Sequence, residues 1–490
     1  PTMTTTADSP APAGGPIAGT GDRGLPNRWR ILAVLGAVAF MAQLDLFIVN
    51  IAVPAIGRSF GGSLTGLSWV LNAYAIVFAA LLVPAGRLAD HFGRRRFLLI
   101  GVTIFTLASA ACAAAPSLAF LVAARAVQAV GAAMIVPTSL GLLYPSFPKR
   151  QHATVVGIWA GVAAVAGSSG PPVGGLLVEL SWRWIFLINV PIGVATLVAG
   201  WRLLPEVRAE KGARLPDGVS AVLLLASVSL LVLATVEGPD WGWSSARFIG
   251  LMAVAVVATA LTVARTIRHP HALIEKSLFT SRPFTFATIA LFLFFVGFAI
   301  FLLNGTLFLQ DEWHYSAVRA GLAIMPGPVT AAVFAVNAGR LARRFGRVLP
   351  AVAGTACMAI ASFTWALLTT AHPSYVTEIL PGMLIAGVSA GLTQAPLFAA
   401  AGTLPPDRAT TGSAVLNMAR QVGSAVGVAV VVVVVGSGGR GGLAGYQHAW
   451  VAEAIAGLLA VLAAAGSGLG SRGSRGSRGS VGAAGGSGRG

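Results

Sequence analysis

The chain has 490 residues, of which 56% are hydrophobic and only 10% are charged. Because a soluble globular chain carries about 25% charged residues, this composition excludes an ordinary water-soluble fold. The formal net charge of +17 is of a size found in nucleic-acid-binding proteins, but the basic residues lie between long apolar runs and form no solvated domain. The sequence therefore argues against a nucleic-acid partner.

Apolar runs recur along the chain, and each of about 20 residues is long enough to cross a bilayer as a helix. They predict an all-α polytopic membrane protein with fourteen transmembrane helices. The predicted spans are residues 31–53, 67–86, 97–115, 118–142, 153–178, 184–204, 219–236, 246–264, 284–309, 318–338, 350–370, 376–401, 412–435 and 449–465.

The distribution of Arg and Lys predicts the orientation of these spans, since both residues tend to stay on the cytoplasmic side. With the N-terminus inside, 26 of the 33 basic residues fall in cytoplasmic segments, five fall outside and two lie within spans. We therefore expect a multi-pass protein of the plasma membrane, with a bacterial inner membrane as its setting and both termini in the cytoplasm. The polar N-terminal stretch lacks a signal-peptide pattern.

A repeated string indicates two related halves. Residues 86–96 join the second and third spans, and residues 339–347 share with them the pattern Gly-Arg-Leu-Ala-x-x-Phe-Gly-Arg, 253 positions downstream. This distance exceeds six spans, so the seventh and eighth helices lie between the halves in the sequence. The predicted divisions are a disordered cytoplasmic tail at 1–29, a six-helix bundle at 30–205, two linking helices with cytoplasmic loops at 206–283, a second six-helix bundle at 284–465, and a disordered Gly/Ser/Arg-rich cytoplasmic tail at 466–490.

Asp45 is the most informative single residue, because it lies well inside the first span. A carboxylate at this depth is costly and normally faces the bundle interior or a water-filled cavity. Burial favours the neutral carboxyl, which would let Asp45 bind and release a proton near neutral pH. The alternative is a structural acid near the outer end of the helix, hydrogen-bonded to Asn50 or to a neighbouring helix.

Arg125 lies in the fourth span, where an unpaired guanidinium is also costly. We expect it to contact an acid or carbonyl oxygens, and close to an acid it would make proton affinity depend on the distance between the two groups. The alternative is that Arg125 lies near the cytoplasmic end of its helix and extends its charge to the interface.

The fifth span combines small residues with two consecutive prolines. Gly170 and Gly174 are four residues apart, which allows close helix approach, while Pro171 and Pro172 remove backbone donors and bend the helix. Together with Gly175, they predict a tight, bent contact that forms a sealed wall or a pivot. General helix packing explains the same spacing equally well.

No motif points to catalysis. The sequence contains no phosphate-binding loop of the nucleotide-hydrolase type, no nucleophile paired with a base, and no metal-ligand spacing among its histidines or two cysteines. We therefore expect no enzymatic activity, no cofactor and no metal.

Other polar and aromatic residues within spans are candidates for a substrate cavity. Glu453, near the start of the last span, is expected to reach the membrane interface instead. The candidates for the cavity are Gln43, Asn50, Gln128, Trp159, Phe298 and Asn304.

Taken in order, these motifs resemble the major facilitator superfamily, and specifically its fourteen-helix drug:proton antiporter group. The likeness covers about residues 30 to 465, and several strings carry it. They are Gly86 to Arg96 between helices two and three, Leu44-Asp45 to Pro54 in the first helix, Arg125 with Gln128 in the fourth, Gly170-Pro171 with Gly174-Gly175 in the fifth, Ser181 to Phe186 with Asn189-Val190-Pro191 at the sixth, and Asn417 to Gly423 in the thirteenth.

The resemblance implies two six-helix bundles that rock around a central cavity between inward-open and outward-open states. It assigns a cytoplasmic latch between the bundles to a cluster of loop residues. Those residues are Gly86, Asp90, Gly93, Arg94 and Arg95. The second copy of the string has Arg343 at the position equivalent to Asp90, so it lacks the acid and is not expected to form the same latch.

The expected function is export of amphipathic small molecules, such as drugs or antibiotics, in exchange for protons that bind Asp45. The expected partners are a small-molecule substrate, protons and membrane lipid. Two alternatives remain: a proton-coupled transporter of one defined metabolite, and a non-transporting membrane sensor with the same fold. The sequence does not predict an oligomeric state.

Overall fold

The computed structural model describes residues 25–207, 217–268, 276–404, 409–436 and 442–468. Both predicted tails lie almost wholly outside these ranges. The described residues form α-helices with short 3₁₀ and π turns, and no strand occurs among them.

Between residues 25 and 268, the described residues form nine α-helices. They are α1 (Arg28–Phe60), α2 (Leu64–Phe92), α3 (Arg94–Ala113), α4 (Leu118–Ser146), α5 (His152–Leu180), α6 (Trp184–Leu187), α7 (Asn189–Leu203), α8 (Gly218–Trp241) and α9 (Ala246–Arg268).

The described residues from 276 to 468 form eight more. They are α10 (Arg282–Leu307), α11 (Ala317–Ile324), α12 (Pro326–Phe345), α13 (Val348–Leu368), α14 (Tyr375–Glu378), α15 (Leu380–Phe398), α16 (Ala409–Gly436) and α17 (Leu443–Gly466).

Each predicted span coincides with a helix or with a pair of consecutive helices. The pairs α6–α7, α11–α12 and α14–α15 each make one crossing, interrupted by a short break. In the described chain, thirteen segments are long and apolar enough to cross a membrane, and α5, with 29 residues, is the fourteenth long helix. The prediction of an all-α polytopic fold is confirmed.

Two sides of the molecule follow from the alternating direction of the helices. We call them the Arg28 side, where α1 begins, and the Phe60 side, where α1 ends. Each even crossing returns the chain to the Arg28 side, so α16 runs from the Arg28 side to the Phe60 side and is antiparallel to α2.

The helices pack in two groups that agree with the repeat in the sequence. In the first group α3 packs on α4, α1 on α5, and α2 on α4; in the second, α13 packs on α17, α10 on α16, and α12 on α15. Part of the buried apolar surface of α1 to α4, including Leu35, Phe78, Phe105 and Ile135, forms one core cluster. The domain boundaries given above remain predictions.

The two groups meet along two seams, one between α2 and α16 and the other between α5 and α11. In the second seam, the backbones are in direct contact. A Cβ atom added to Gly175 would lie 2.6 Å from the Ala317 carbonyl oxygen, and one added to Gly321 would collide with the Pro171 carbonyl oxygen. The tight contact predicted for the fifth span is therefore present between α5 and α11.

Helices α8 and α9, central in the sequence, lie at the edge of the molecule. The α8 helix packs on α2, α16 and α9, and thus covers the α2–α16 seam from outside. The Arg265 Nε and Nη2 atoms donate to the two carboxylate oxygens of Asp217 at 2.6 and 2.9 Å, which closes the hairpin and lowers the pKa of Asp217. At the other end, Trp69 Nε1 of α2 donates to Glu237 Oε1 at 3.1 Å.

The expectation that Glu453 reaches the interface is wrong. Glu453 is only 1% exposed, because α17 packs on α10 and α13 inside the second group. A Cβ added to Gly297 of α10 would lie 3.5 Å from Glu453 Cγ and 2.8 Å from Met358 Sδ. Glu453 is therefore a buried acid of the second group.

The α5–α11 seam makes a first prediction. Gly321→Ala places a methyl group against a backbone carbonyl that cannot rotate away, so we expect a loss of stability of about 1–3 kcal/mol. Gly305→Ala is the matched control, because no atom lies within 4 Å of the added Cβ. Thermal unfolding of the purified protein in detergent measures both, and equal melting temperatures would contradict the close contact.

Candidate functional site

Asp45 is fully buried and accepts hydrogen bonds from three side chains of other helices. Its Oδ2 accepts from Arg125 Nη1 at 2.5 Å, and its Oδ1 accepts from Gln128 Nε2 and from Asn189 Nδ2, each at 2.9 Å. Asn50 takes no part, because its Nδ2 donates to the Leu46 carbonyl oxygen at 3.2 Å. The carboxylate of Asp45 is thus held by α4 and α7.

Arg125 stays inside the first group and does not extend to the interface, since its side chain is 1% exposed. Besides the ion pair, its Nε donates to the Val70 carbonyl oxygen at 3.1 Å and its Nη1 to Gln128 Oε1 at 2.7 Å. The guanidinium carbon lies 4.2 Å from the centre of the Tyr74 ring, a cation–π distance. Both kinds of partner expected for this residue, an acid and a carbonyl oxygen, are present.

Gln128 connects this pair to a further helix. Its Nε2 also donates to Ser109 Oγ at 2.7 Å, and the Cys112 thiol lies 3.8 Å from its Oε1. Gln128 was a candidate for the substrate cavity, but its amide is used within this network. We call the network the Asp45 cluster, and its members are Asp45, Tyr74, Ser109, Arg125, Gln128 and Asn189.

The Asp45 cluster contains a buried ion pair between Asp45 and Arg125, and neutralising one charge leaves the other unpaired. A proton on Asp45 would leave Arg125 charged, buried and without its acid, which is strongly unfavourable. A movement of Arg125, or of the helix that carries it, would relieve this cost.

The fifth-span residues place α5 directly against the helix that carries Asp45. A Cβ added to Gly170 would lie 2.8 Å from Phe47 Cβ, and one added to Gly174 would lie 2.8 Å from Ile48 Cγ1. Since Pro171 and Gly175 contact α11, α5 touches the Asp45 helix and the second group of helices at once.

The loop between α2 and α3 turns at Gly93, whose φ of 104° favours glycine. Arg94 Nη1 donates to the Gly141 carbonyl oxygen at 2.5 Å. The Arg95 backbone N–H donates to Glu206 Oε1 at 3.3 Å, and Arg96 Nε lies 3.8 Å from Glu206 Oε2. Glu206 follows α7, so the basic run holds α3 to the end of α7.

The other two predicted latch residues, Gly86 and Asp90, precede this turn in the chain. A Cβ added to Gly86 would lie 3.5 Å from Pro137 Cβ, which is an ordinary van der Waals distance. The side chain of Asp90 lies outside the described residues. The latch role of the loop remains a prediction.

The remaining cavity candidates do not gather at the Asp45 cluster. Phe298 of α10 contacts Phe47 of α1 with ring centres 6.1 Å apart, and Asn304 Nδ2 donates to the Tyr446 carbonyl oxygen at 3.1 Å. Trp159 packs against the α1–α4 core, and Gln43 is half-buried. Their assignment to a substrate cavity remains a prediction.

A cavity of about 710 Å³ lies between the two groups on the Phe60 side. Its charged and polar lining comes from both groups. The residues that provide it are Arg58, Gln310, Asp311, His314 and Tyr446.

Sequence reasoning missed the roles of several residues of these sites. Asn189 was named in the family-like string at the sixth span, but its hydrogen bond to Asp45 was not predicted. Glu206 carried no motif, and it lies 111 positions from Arg95. Tyr74 and Ser109 gave no signal, because an aromatic ring or a hydroxyl is common in any transmembrane helix.

The fold and the Asp45 cluster define a polytopic transporter. The model of the Major Facilitator Superfamily matches residues 35–428, and the chain belongs to this family. It is a membrane transporter and not an enzyme.

Curated relatives carry names that refer to resistance and export. The multidrug resistance protein Stp of Mycobacterium tuberculosis is 36% identical over 412 residues, covering 83% of this chain and 76% of the relative. The methylenomycin A resistance protein of Streptomyces coelicolor is 36% identical, with 84% and 86% covered. The tetracenomycin C resistance and export protein of Streptomyces glaucescens is 34% identical, with 86% and 78% covered.

Solved structures show the same fold at low sequence identity. A D-xylose–proton symporter superposes with a TM-score of 0.63 at 15% identity, covering 89% of this chain and 96% of that one. The nucleoside transporter NupG gives 0.63 at 13% identity, with 89% and 98% covered.

The buried ion pair makes a second prediction. Asp45→Asn leaves Arg125 charged without its acid, and Arg125→Gln leaves the carboxylate alone, so each should lower stability by about 3–5 kcal/mol. The double variant removes both charges and should be more stable than the sum of the single effects implies. Melting temperatures of the wild type, both single variants and the double variant in detergent form a double-mutant cycle. Strictly additive changes in melting temperature would contradict a coupled pair.

Proposed function

We propose that this protein exports amphipathic small molecules in exchange for protons by alternating access. The observation that carries the proposal is the Asp45–Arg125 pair, with Nη1 and Oδ2 2.5 Å apart in the interior of the first group. The names of the relatives, which refer to drug and antibiotic resistance, support export of such compounds.

The pair supplies the coupling step. A proton that binds Asp45 from the outside neutralises the carboxylate and releases Arg125 to the remaining oxygens of Gln128 and Val70. Return of the proton to the cytoplasm restores the pair. Each proton moving inward contributes about 2.3 kcal/mol per 100 mV of membrane potential.

The α5 helix transmits this step to the second group. Its Gly170 and Gly174 lie against the turn of α1 that follows Asp45, while its Gly175 lies against α11. A shift of α1 therefore moves the seam that closes the Phe60 side. This assigns a physical role to the fifth-helix motif.

The orientation and the latch belong to the same proposal. The Arg28 side carries most of the basic residues between helices, and we assign it to the cytoplasm of a bacterial inner membrane. Glu206 and the basic run at Arg94 to Arg96 then form a charge cluster on the cytoplasmic side. We assign Asp90, whose side chain lies outside the described residues, to the same latch, whose strength differs between the two states.

Transport of one defined compound is the second candidate. Two relatives are named for single antibiotics, methylenomycin A and tetracenomycin C. A susceptibility screen in a pump-deficient bacterial strain separates the candidates: broad protection supports multidrug export, and protection against one compound supports the narrow transporter.

A third prediction tests the coupling. In proteoliposomes, Asp45→Asn should abolish substrate movement driven by a pH gradient, because the carboxyl can no longer release a proton. Substrate–substrate exchange without a gradient should persist, which shows that the variant is folded and binds. Asp217→Asn is the control acid, since it belongs to the α8–α9 hairpin. Gradient-driven transport by Asp45→Asn at the wild-type rate would refute the assignment.

A fourth prediction concerns the latch. Glu206→Gln and Asp90→Asn should each slow turnover several-fold with little change in KM, because they alter the balance between states and not the substrate site. Glu179→Gln is the control, because Glu179 is an exposed acid at the C-terminal end of α5, on the Phe60 side. A changed KM at unchanged turnover would contradict a latch and favour a substrate contact.

A further inference from the structure

Arg420 of α16 is a second buried arginine, and its surroundings differ from those of Arg125. The residue is 8% exposed, and its Nε has no hydrogen-bond partner among the described residues. No carboxylate in the described part of the chain lies within ion-pair distance of it. Its guanidinium carbon lies 5.6 Å from the centre of the Phe295 ring of α10.

Two buried amides on the packed helices α2 and α16 also lack hydrogen-bond partners among the described residues. Gln421 stands next to Arg420 and Asn72 lies on α2, and both residues are fully buried. Neither the oxygen nor the nitrogen of either side chain has a partner within the described residues. Buried polar groups are normally satisfied, so a set of three on two packed helices indicates a function that needs them free.

Helix α2 connects this set to the Asp45 cluster, because α2 packs on α4 and on α16. Tyr74, whose ring contacts Arg125, lies on α2 two residues from Asn72. Asp45 pairs with Arg125, and no ion pair within the described residues joins Asp45 to Arg420. Of these two buried guanidinium groups, the one of Arg125 is paired with an acid among the described residues.

We propose that Arg420, with Gln421 and Asn72, binds the acidic group of an anionic aromatic cargo. A carboxylate or phenolate would pair with the guanidinium and accept hydrogen bonds from the amides. Aromatic rings next to Arg420 supply the apolar part of the site: Phe295 contacts Phe298 at 5.6 Å between ring centres, and Phe298 contacts Phe47 of the other group at 6.1 Å. This deepens the proposed function, on which it rests, by naming the cargo class.

The site lies between the two groups, as a cargo site in alternating access requires. Arg420 and Phe298 belong to the second group, while Asn72 and Phe47 belong to the first. Tyr74, which contacts Arg125, lies on the same helix as Asn72.

Equilibrium binding to the purified protein tests the proposal, with pyrenebutyrate and pyrenebutanol as a matched acid and alcohol. Fluorescence anisotropy gives the two dissociation constants without a proton gradient. We expect the wild type to prefer the acid, Arg420→Gln to weaken acid binding about tenfold or more while alcohol binding stays within twofold, and Arg420→Lys to keep part of the preference.

Arg319→Gln is the matched control, because Arg319 is exposed and also lies over an aromatic ring, 3.8 Å from the centre of Tyr315. It should leave both constants unchanged. An equal loss of acid and alcohol binding in Arg420→Gln, or no acid preference in the wild type, would overturn the proposal. A failure of proton coupling in proteoliposomes would not affect this binding result, so the two proposals are tested separately.

Discussion

The ion pair between Asp45 and Arg125 is the constraint on which the first group of helices depends. Neither charge is tolerated alone at this depth, so the surrounding helices must supply every remaining hydrogen bond. Gln128, Asn189 and the Val70 carbonyl oxygen do so, and they come from α4, α7 and α2. The requirement fixes five helices relative to one another, because Ser109 brings in α3. Any change in the protonation of Asp45 disturbs all of them together.

This constraint acts on the rest of the molecule through close backbone contacts. Where glycines let α5 lie directly on α1 and on α11, little side-chain movement is available to absorb a shift. A displacement at α1 is therefore passed on and not lost in rotamer changes. The α8–α9 hairpin is attached less closely to the rest of the molecule. Trp69 and Glu237 join it to the outside of the α2–α16 seam, and α9 packs mainly on α8. It can follow the motion of the seam without directing it.

The sequence predicted those features that carry a large energetic cost. Charged residues in apolar spans, such as Asp45 and Arg125, are expensive wherever they occur, so their presence alone indicates a paired interior site. The hydrogen-bond partners of these residues were harder to predict. Asn50 is near Asp45 in the chain but bonds to its own helix, whereas Asn189 bonds to Asp45 from 144 positions away. Apolar spans show no polar face, so the side of the helix on which Gln128 or Glu453 lies is set by packing alone. Glu206 was missed because its partners, Arg95 and Arg96, are distant in the sequence and meet it only in the folded chain.

The buried arginines of the two halves have different surroundings, and this difference is the basis of the mechanism that we propose. In the first half, Arg125 is satisfied by residues of the chain itself, and we propose that this site responds to a proton. In the second half, Arg420 lies against Phe295 with its Nε unsatisfied by the described residues, and we propose that an external anion completes this site. A protein with both charges paired internally would have no electrostatic reason to bind cargo at the seam. A protein with neither paired would not hold the first group together. Under this proposal, the asymmetry between related halves allows one half to carry the proton and the other to recognise the cargo.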